Sequence, residues 1–257
     1  MTPRFTTSCA TLSSSSDTTD PSDGLKRQAQ EFADNLTLTV RAVTPRCEGF
    51  KATFSGTRLL VRQVPGTGIP LTFKGGPLLT LKASSSCVWD LENEFLAVND
   101  SKIEVLTTTG GQPLFRYEYL RSPDTVPAAH LHVHAHRDAM TYVMTKVGRT
   151  TKRPQQRGSR DGIPTLQDLH FPLGGHRFRP VLEDVLEMLI DEFNIDHEDG
   201  AREGLAEART VWRLTQTKAA VRDAPGAAVE ALRSLGYRIT PPEPAPVTRH
   251  KGRLRAF

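Results

Sequence analysis

The sequence predicts an α+β fold, in which an antiparallel β-rich N-terminal half packs against about three C-terminal helices. Two observations support this prediction. Short β-type runs separated by turn residues fill the chain to about residue 137, and apolar residues recur at helical spacing from Pro180 onward. Strands followed by helices are typical of the α+β class.

Both ends of the chain have the composition of segments that do not fold alone. Residues 1–24 are rich in Ser, Thr and Asp, and residues 241–257 contain four prolines followed by basic residues. Such segments bury too little apolar surface to offset the conformational entropy lost on folding. We therefore predict a disordered tail over 1–24, a single α+β domain over 25–240 and a Pro-rich basic tail over 241–257.

The first part of the domain, residues 25–140, is predicted to be mainly β. Turn signals such as Pro65-Gly66 and Gly110-Gly111 separate its apolar runs, and this short spacing favours antiparallel neighbours. The candidate strands are Leu36–Val43, Phe50–Phe54, Arg58–Val64, Leu78–Lys82, Phe95–Val98, Lys102–Leu106, Leu114–Leu120 and the His-rich segment from Ala129 to Arg137.

Residues 141–168 are predicted to be a basic loop, and residues 169–240 to be mainly helical. The first helix begins near Pro180 and carries an apolar stripe from Val181 to Phe193, with acidic residues on the opposite face. A second helix is predicted over about 198–222. A third is predicted over 225–235, ending at Gly236, because glycine is a common helix stop.

Bulk composition limits the classes of function. The net charge of +4 is a mild excess that permits a nucleic-acid partner without requiring one. Three isolated cysteines form no CxxC pair, which favours a reducing compartment over a disulfide framework or a thiolate zinc site. No apolar run approaches the roughly 20 residues needed to cross a bilayer. We therefore expect a cytoplasmic protein without a membrane partner.

Four histidines alternate with apolar residues in one predicted strand. Successive side chains of a strand point to opposite faces, so Leu131, Val133 and Ala135 form a core face and the histidines form the other face. Same-face neighbours lie about 6.6 Å apart along the backbone, which lets imidazoles converge on one ion. The metal-ligand candidates, for a divalent metal ion, are His130, His132, His134 and His136.

The preceding strand adds a cation and an acid to this face. If the strands from Leu114 to Leu120 and from Ala129 onward pair, Arg116 and Glu118 flank the histidines. Imidazole is both a donor and an acceptor near neutral pH, which suits proton transfer. The predicted catalytic residues are therefore Arg116, Glu118, His132 and His134.

Two basic segments follow the histidines and are candidates for contacts with phosphate groups. The first contributes Arg149, Lys152 and Arg153 from the predicted basic loop. The second precedes the first C-terminal helix and contributes His176, Arg177 and Arg179. These six residues are the predicted substrate-binding set, for RNA or a nucleotide.

The string His130-Leu131-His132-Val133-His134 resembles the histidine-triad signature of nucleotide hydrolases and transferases. In that family the middle histidine is the nucleophile. The resemblance implies that His132 attacks a phosphorus atom, with His130 and His134 beside it.

A second resemblance covers more of the chain. The order of an Arg-Tyr-Glu-Tyr strand, a His-rich strand and a Leu-Glu-Asp-Val-Leu-Glu helix resembles the small toxins of bacterial toxin–antitoxin pairs. The region from Phe115 to the C-terminus is also similar to uncharacterised proteins of high-GC Gram-positive bacteria. The toxin likeness implies an activity directed at RNA.

Three functional hypotheses follow from the sequence. The leading one is a nucleic-acid- or nucleotide-directed protein, acting as a phosphodiester hydrolase through the His-rich strand. The first alternative is a non-catalytic interaction module with a protein partner. The second is a metal-binding protein without hydrolytic activity.

Overall fold

The structure is a computed structural model of the 257-residue chain. It describes residues 21–55, 58–90, 94–122, 128–133, 137–147, 150, 155, 179–240, 242–244 and 254. The described part contains five helices: α1 (Pro21–Val43), α2 (Arg137–Lys146), α3 (Leu182–Phe193), α4 (Ala201–Asp223) and α5 (Pro225–Ser234). Its strands are β1 (Gly49–Ser55), β2 (Arg58–Val64), β3 (Ile69–Phe73), β4 (Gly76–Trp89), β5 (Leu96–Thr107), β6 (Phe115–Leu120) and β7 (Ala129–Val133).

The seven strands form one antiparallel sheet in the order β1-β2-β4-β5-β6-β7, with β3 paired to β4. The predicted α+β class, with β structure in the N-terminal half and helices in the C-terminal half, is confirmed. Strands β6 and β7 lie together at one end of the sheet, so the segment with the histidines joins the strand that carries Arg116 and Glu118.

An N-terminal helix stands where the sequence predicted a strand. Helix α1 includes Leu36–Val43, so the strand prediction for that segment is wrong. The buried side chains of Leu25, Ala29, Ala33 and Val40 recur at intervals that place them on one face of a helix. This face packs against β1 and β2. Residues 21–24, which were assigned to the disordered tail, belong to the same helix.

Other elements differ from their predicted bounds. The segments Phe95–Val98 and Lys102–Leu106 are parts of the single strand β5, whose polar centre interrupts the β-type pattern. Strand β3 was not predicted, because Pro70 lies inside it. Helix α2 was also missed, and its residues 141–146 fall within the predicted basic loop.

Helix α3 lies in the centre of the core. Leu186, Leu189, Ile190 and Phe193 are fully buried, as the apolar stripe predicted. The acidic residues were expected on the face opposite this stripe, and two of those residues are shielded from solvent. Glu183 and Asp184 are both buried, since neighbouring elements cover this side of the helix as well.

Glu183 and Asp184 each have a polar partner from another helix. The hydroxyl of Thr39 on α1 donates a hydrogen bond of 3.0 Å to Glu183, whose pKa is raised by burial. Asp184 accepts a hydrogen bond of 2.8 Å from Nε of Arg209 on α4. These contacts link α3 to helices on either side of it in the sequence.

The chain divides into two compact units, residues 1–209 and residues 210–257. The boundary falls within helix α4. In the second unit, none of the residues from 210 to 240 is buried. The single domain predicted over 25–240 stays a prediction.

Within the described ranges, every helix falls short of the length and apolar character that a membrane span needs.

Candidate functional site

The register of the last three strands places charged side chains in rows. Glu118 on β6 pairs with Lys102 on β5 and with His130 on β7. In the next row, Arg116 lies between Glu104 and His132. Because side chains alternate along a strand, all of these even-numbered residues share one face of the sheet.

We call this the outer face, and the opposite face the inner face. Phe115 and Tyr117 alternate with Arg116 on β6 and are buried in the core, with their rings in an edge-to-face contact. Leu131 on β7 also packs against the core. The apolar residues therefore fix which way the strands face, and the polar residues are forced to the other side.

Glu118 is the centre of the outer-face cluster. Its Oε2 lies 3.2 Å from Nε2 of His130 and 3.3 Å from Nε2 of His132. Its Oε1 lies 3.0 Å from Nε of Arg116 and 3.8 Å from Nζ of Lys102. The two oxygens thus have different partners, imidazoles on one and cations on the other.

Arg116 and Glu118 form an ion pair whose geometry is not that of a directed hydrogen bond. The Nε atom of Arg116 is buried and has no hydrogen-bond partner within the described ranges, although Oε1 is close. Arg116 and Glu118 therefore attract one another through their charges, and the guanidinium holds the carboxylate on the side of Oε1.

The cluster is partly shielded from water. The side chain of Glu118 is 18% exposed and that of His130 is 12% exposed, whereas His132 is 40% exposed. The two imidazole rings meet edge to face with centroids 4.8 Å apart. His132 is therefore the more accessible of the two histidines for a ligand or substrate.

Glu118, His130 and His132 each present one ligand atom, and the three atoms lie within 4.8 Å of one another. Two imidazoles and one carboxylate are the protein ligands of many catalytic zinc sites and of non-haem iron sites. Ligand atoms about 2.1 Å from a tetrahedral metal are separated by roughly 3.4 Å. The distances from Glu118 to the two rings match this separation.

The structure brings together four of the sequence-predicted residues, namely Arg116, Glu118, His130 and His132. Their predicted partners His134, His136, Arg149, Lys152, Arg153, His176 and Arg177 lie outside the described residues.

Arg179 is described, and it does not join the cluster. Its guanidinium carbon lies 3.9 Å from the ring centroid of Tyr119. Tyr119 is adjacent to Glu118 in β6, so its side chain points to the inner face. Arg179 therefore packs against a side chain that alternates with that of Glu118 along β6.

Lys102 is the member of the cluster that sequence reasoning missed. It lies on a predicted strand, but its alignment with Glu118 depends on the register of β5 against β6. A turn of seven residues, 108–114, connects these strands, and a connection of that length does not fix the register. The sequence showed only that Lys102 lies at an even-numbered position of a predicted strand, which fixes its face within that strand and not its partner.

Comparison with protein-family models, curated proteins and solved structures found no match. The two resemblances drawn from the sequence therefore remain predictions.

Proposed function

We propose that the outer-face cluster binds a divalent transition-metal ion through Glu118, His130 and His132. One observation carries the proposal, namely that a carboxylate oxygen and two imidazole nitrogens are gathered at distances suited to a single ion. Imidazole ligands favour zinc and its first-row neighbours over magnesium or calcium.

The far side of Glu118 supports this assignment. Arg116 and Lys102 lie beside Oε1, which orients the carboxylate and leaves Oε2 directed at the rings. Groups that orient a ligand in this way strengthen metal sites. Metal ligands bind in their deprotonated forms, so the two imidazoles have to be neutral and the carboxylate ionised for an ion to bind.

Replacing Glu118 with glutamine is expected to weaken zinc binding about 100-fold or more, because an ionised ligand becomes a neutral amide of similar shape. Isothermal titration of the full chain with zinc sulfate measures the dissociation constant. Glu104→Gln is the matched control, since Glu104 occupies the same face of β5 in the neighbouring row. We expect that variant to bind zinc as the unmodified chain does.

Two results would contradict the metal site. An unchanged dissociation constant in Glu118→Gln would show that zinc binds to the histidines alone. Such binding is what any pair of neighbouring surface histidines provides. Absence of zinc binding by the unmodified chain would leave the cluster as a cross-strand charge network that stabilises the sheet.

A second candidate function, phosphodiester hydrolysis on RNA or a nucleotide, is favoured by the cations beside the imidazoles. Arg116 and Lys102 provide positive charge next to His132, the more exposed ring. A zinc ion held by His130, His132 and Glu118 would have room for a water molecule and would lower the pKa of that water. His132 would act there as a ligand of the ion rather than as a group that transfers a proton.

His132→Ala, alone and combined with His134→Ala, is expected to reduce cleavage by about 100-fold or more. The substrates are a fluorogenic single-stranded RNA and bis(4-nitrophenyl) phosphate, and circular dichroism checks the fold. His197→Ala is the control, because His197 contacts the backbone of Ile195 in a loop after α3. Equal cleavage rates in all of these variants would reject a catalytic role for His132.

A further inference from the structure

Strand β7 is the last strand of the sheet, and within the described residues it pairs with β6 alone. The side of such a strand that faces away from the sheet presents a row of backbone N–H and C=O groups to which another strand can pair. The free edge of β7 is therefore a candidate interaction surface that is made of backbone groups rather than of the side chains in the outer-face cluster.

The hydrogen bonds between β6 and β7 show which backbone groups lie on this edge. In an antiparallel pair, opposite residues alternate between those that exchange two hydrogen bonds and those that exchange none. The N–H of Leu120 donates to the C=O of Ala128, which lies opposite it when the register is extended by one step, at 2.8 Å. Bonded pairs recur at every second residue, so the backbone groups of Ala129, Leu131 and Val133 point away from β6.

The other strands with a neighbour on one side only are β1 and β3, and both are engaged by another element. On β1 the N–H of Phe50 donates to the hydroxyl of Thr37 on α1 at 2.8 Å. On β3 the C=O of Thr72 accepts the N–H of Asp196, which follows α3, at 2.7 Å.

The edge of β7 has no such protection. In the part of the chain that the structure describes, the outward backbone groups of Ala129, Leu131 and Val133 have no hydrogen-bond partner. Lysine, proline and β-bulges commonly keep edge strands from pairing, and β7 contains none of them. The edge is therefore open to a further strand.

The sequence of β7 reads nearly the same in both directions about Leu131. Under a twofold axis, an antiparallel pair centred on Leu131 places this residue opposite its own copy. The same register places His130 opposite His132 and Ala129 opposite Val133. Apolar side chains then meet on the inner face and imidazoles meet on the outer face. Because β7 contains no Lys, Arg, Asp or Glu, no like charges of these residues oppose one another across the pair.

We propose that β7 pairs with β7 of a second copy of this chain, so that two seven-stranded sheets become one continuous antiparallel sheet. The outward groups of Ala129, Leu131 and Val133 provide the bonds between the chains, and the like-with-like register selects a second copy over an unrelated strand. The inference does not rest on the proposed metal site, since it uses backbone groups and not imidazole nitrogens. A pair of five-residue strands is smaller than a standard interface, so we expect a dissociation constant on the order of 10–100 μM.

Sedimentation equilibrium of the full chain in the presence of EDTA measures this association with metal bridging removed. We expect the average mass to rise toward that of a dimer as the protein concentration increases. A chain that remains monomeric at about 500 μM would overturn the proposal and leave the edge to a strand of another protein. Dimerisation that requires added zinc would also overturn it, because a metal bridge rather than strand pairing would then join the copies.

Hydrogen exchange of backbone amides locates the contact in the unmodified chain. The N–H of Leu131 lies on the free edge, so its protection should rise by about threefold or more between dilute and concentrated protein. The N–H of His132 is the control, because it is bonded to β6 in monomer and dimer alike. Unchanged protection of Leu131 in a dimeric sample would place the interface elsewhere and contradict the proposal.

A proline at position 129 tests the backbone bonds directly. Ala129→Pro removes one outward N–H from each copy and no bond to β6, and proline is tolerated on an edge strand. We expect association to weaken by about tenfold or more, since two hydrogen bonds between the chains are lost. Ala129→Ser is the matched control, because it changes the exposed side chain at the same position and keeps the N–H.

We expect Ala129→Ser to dimerise as the unmodified chain does, and circular dichroism checks the fold of both variants. A dissociation constant for folded Ala129→Pro equal to that of the unmodified chain would refute strand pairing at this edge. If Ala129→Pro failed to fold, the exchange of the Leu131 amide in the unmodified chain would still decide the question.

Discussion

Replacing Arg209 with alanine is expected to lower the free energy of unfolding by about 3–5 kcal/mol. Arg209 is 15% exposed and bonds through Nε to Asp184, which is 8% exposed, while its NH2 group contacts Glu187. Burial opposes the charge of Arg209, but the hydrogen bond and charge of Glu187, with those of Asp184, raise its pKa overall. Without the guanidinium, Asp184 is left as a buried charge whose main cationic partner is gone.

Chemical denaturation of the full chain measures this effect, and Arg202→Ala is the matched control. Arg202 also comes from α4 and bonds to an acid of α3, Asp191, at 2.8 Å. Both side chains of that pair are about two-fifths exposed, so water screens them and we expect a loss of about 1 kcal/mol or less. Similar losses in the two variants would refute the view that burial makes the Arg209 pair important.

Replacing Phe115 with alanine is expected to cost about 3–5 kcal/mol of folding stability. Phe115 is fully buried where β6 crosses the core, and its ring packs edge to face on Tyr117 with centroids 6.2 Å apart. The truncation removes buried apolar area and leaves a cavity that neighbouring side chains fill incompletely. The midpoint of thermal unfolding should fall accordingly.

Phe54→Ala provides the comparison. Phe54 lies on β1, a strand at the other end of the sheet, and 47% of the residue is exposed. Its removal loses little buried surface, so a change of about 0.5 kcal/mol is expected. If Phe54→Ala were as destabilising as Phe115→Ala, the core position of β6 would be wrong.

The spacing of apolar residues along the chain predicted much of the fold. The prediction failed where the amino-acid composition favoured a strand and the spacing favoured a helix. Strand β2 and helix α3 have side-chain patterns that only one type of element satisfies, and both were found close to their predicted bounds. Residues 36–43 are rich in β-branched and apolar side chains, which favoured a strand. The helical spacing that continues from Leu25 to Val40 decides the outcome, because it buries one continuous face against the sheet.

The candidate site was predictable to the extent that it depends on alternation within one strand. Arg116 and Glu118 are two residues apart in one strand, so their side chains share a face. The same holds for His130 and His132. Which residues lie opposite one another depends on register, and register is set by the tertiary structure. Lys102 was missed for this reason, and the place of Arg179 against Tyr119 was not predictable because it depends on packing between distant segments.

The two parts of helix α4 differ in burial, and therefore in how much each contributes to the stability of the fold. Its first part carries the buried Leu205 and Ala208, so opening this part disrupts the core and costs much of the global stability. Beyond residue 209 no residue of the helix is buried, so local helix formation contributes more to its stability there. The boundary between the two compact units therefore lies inside a helix rather than at a loop.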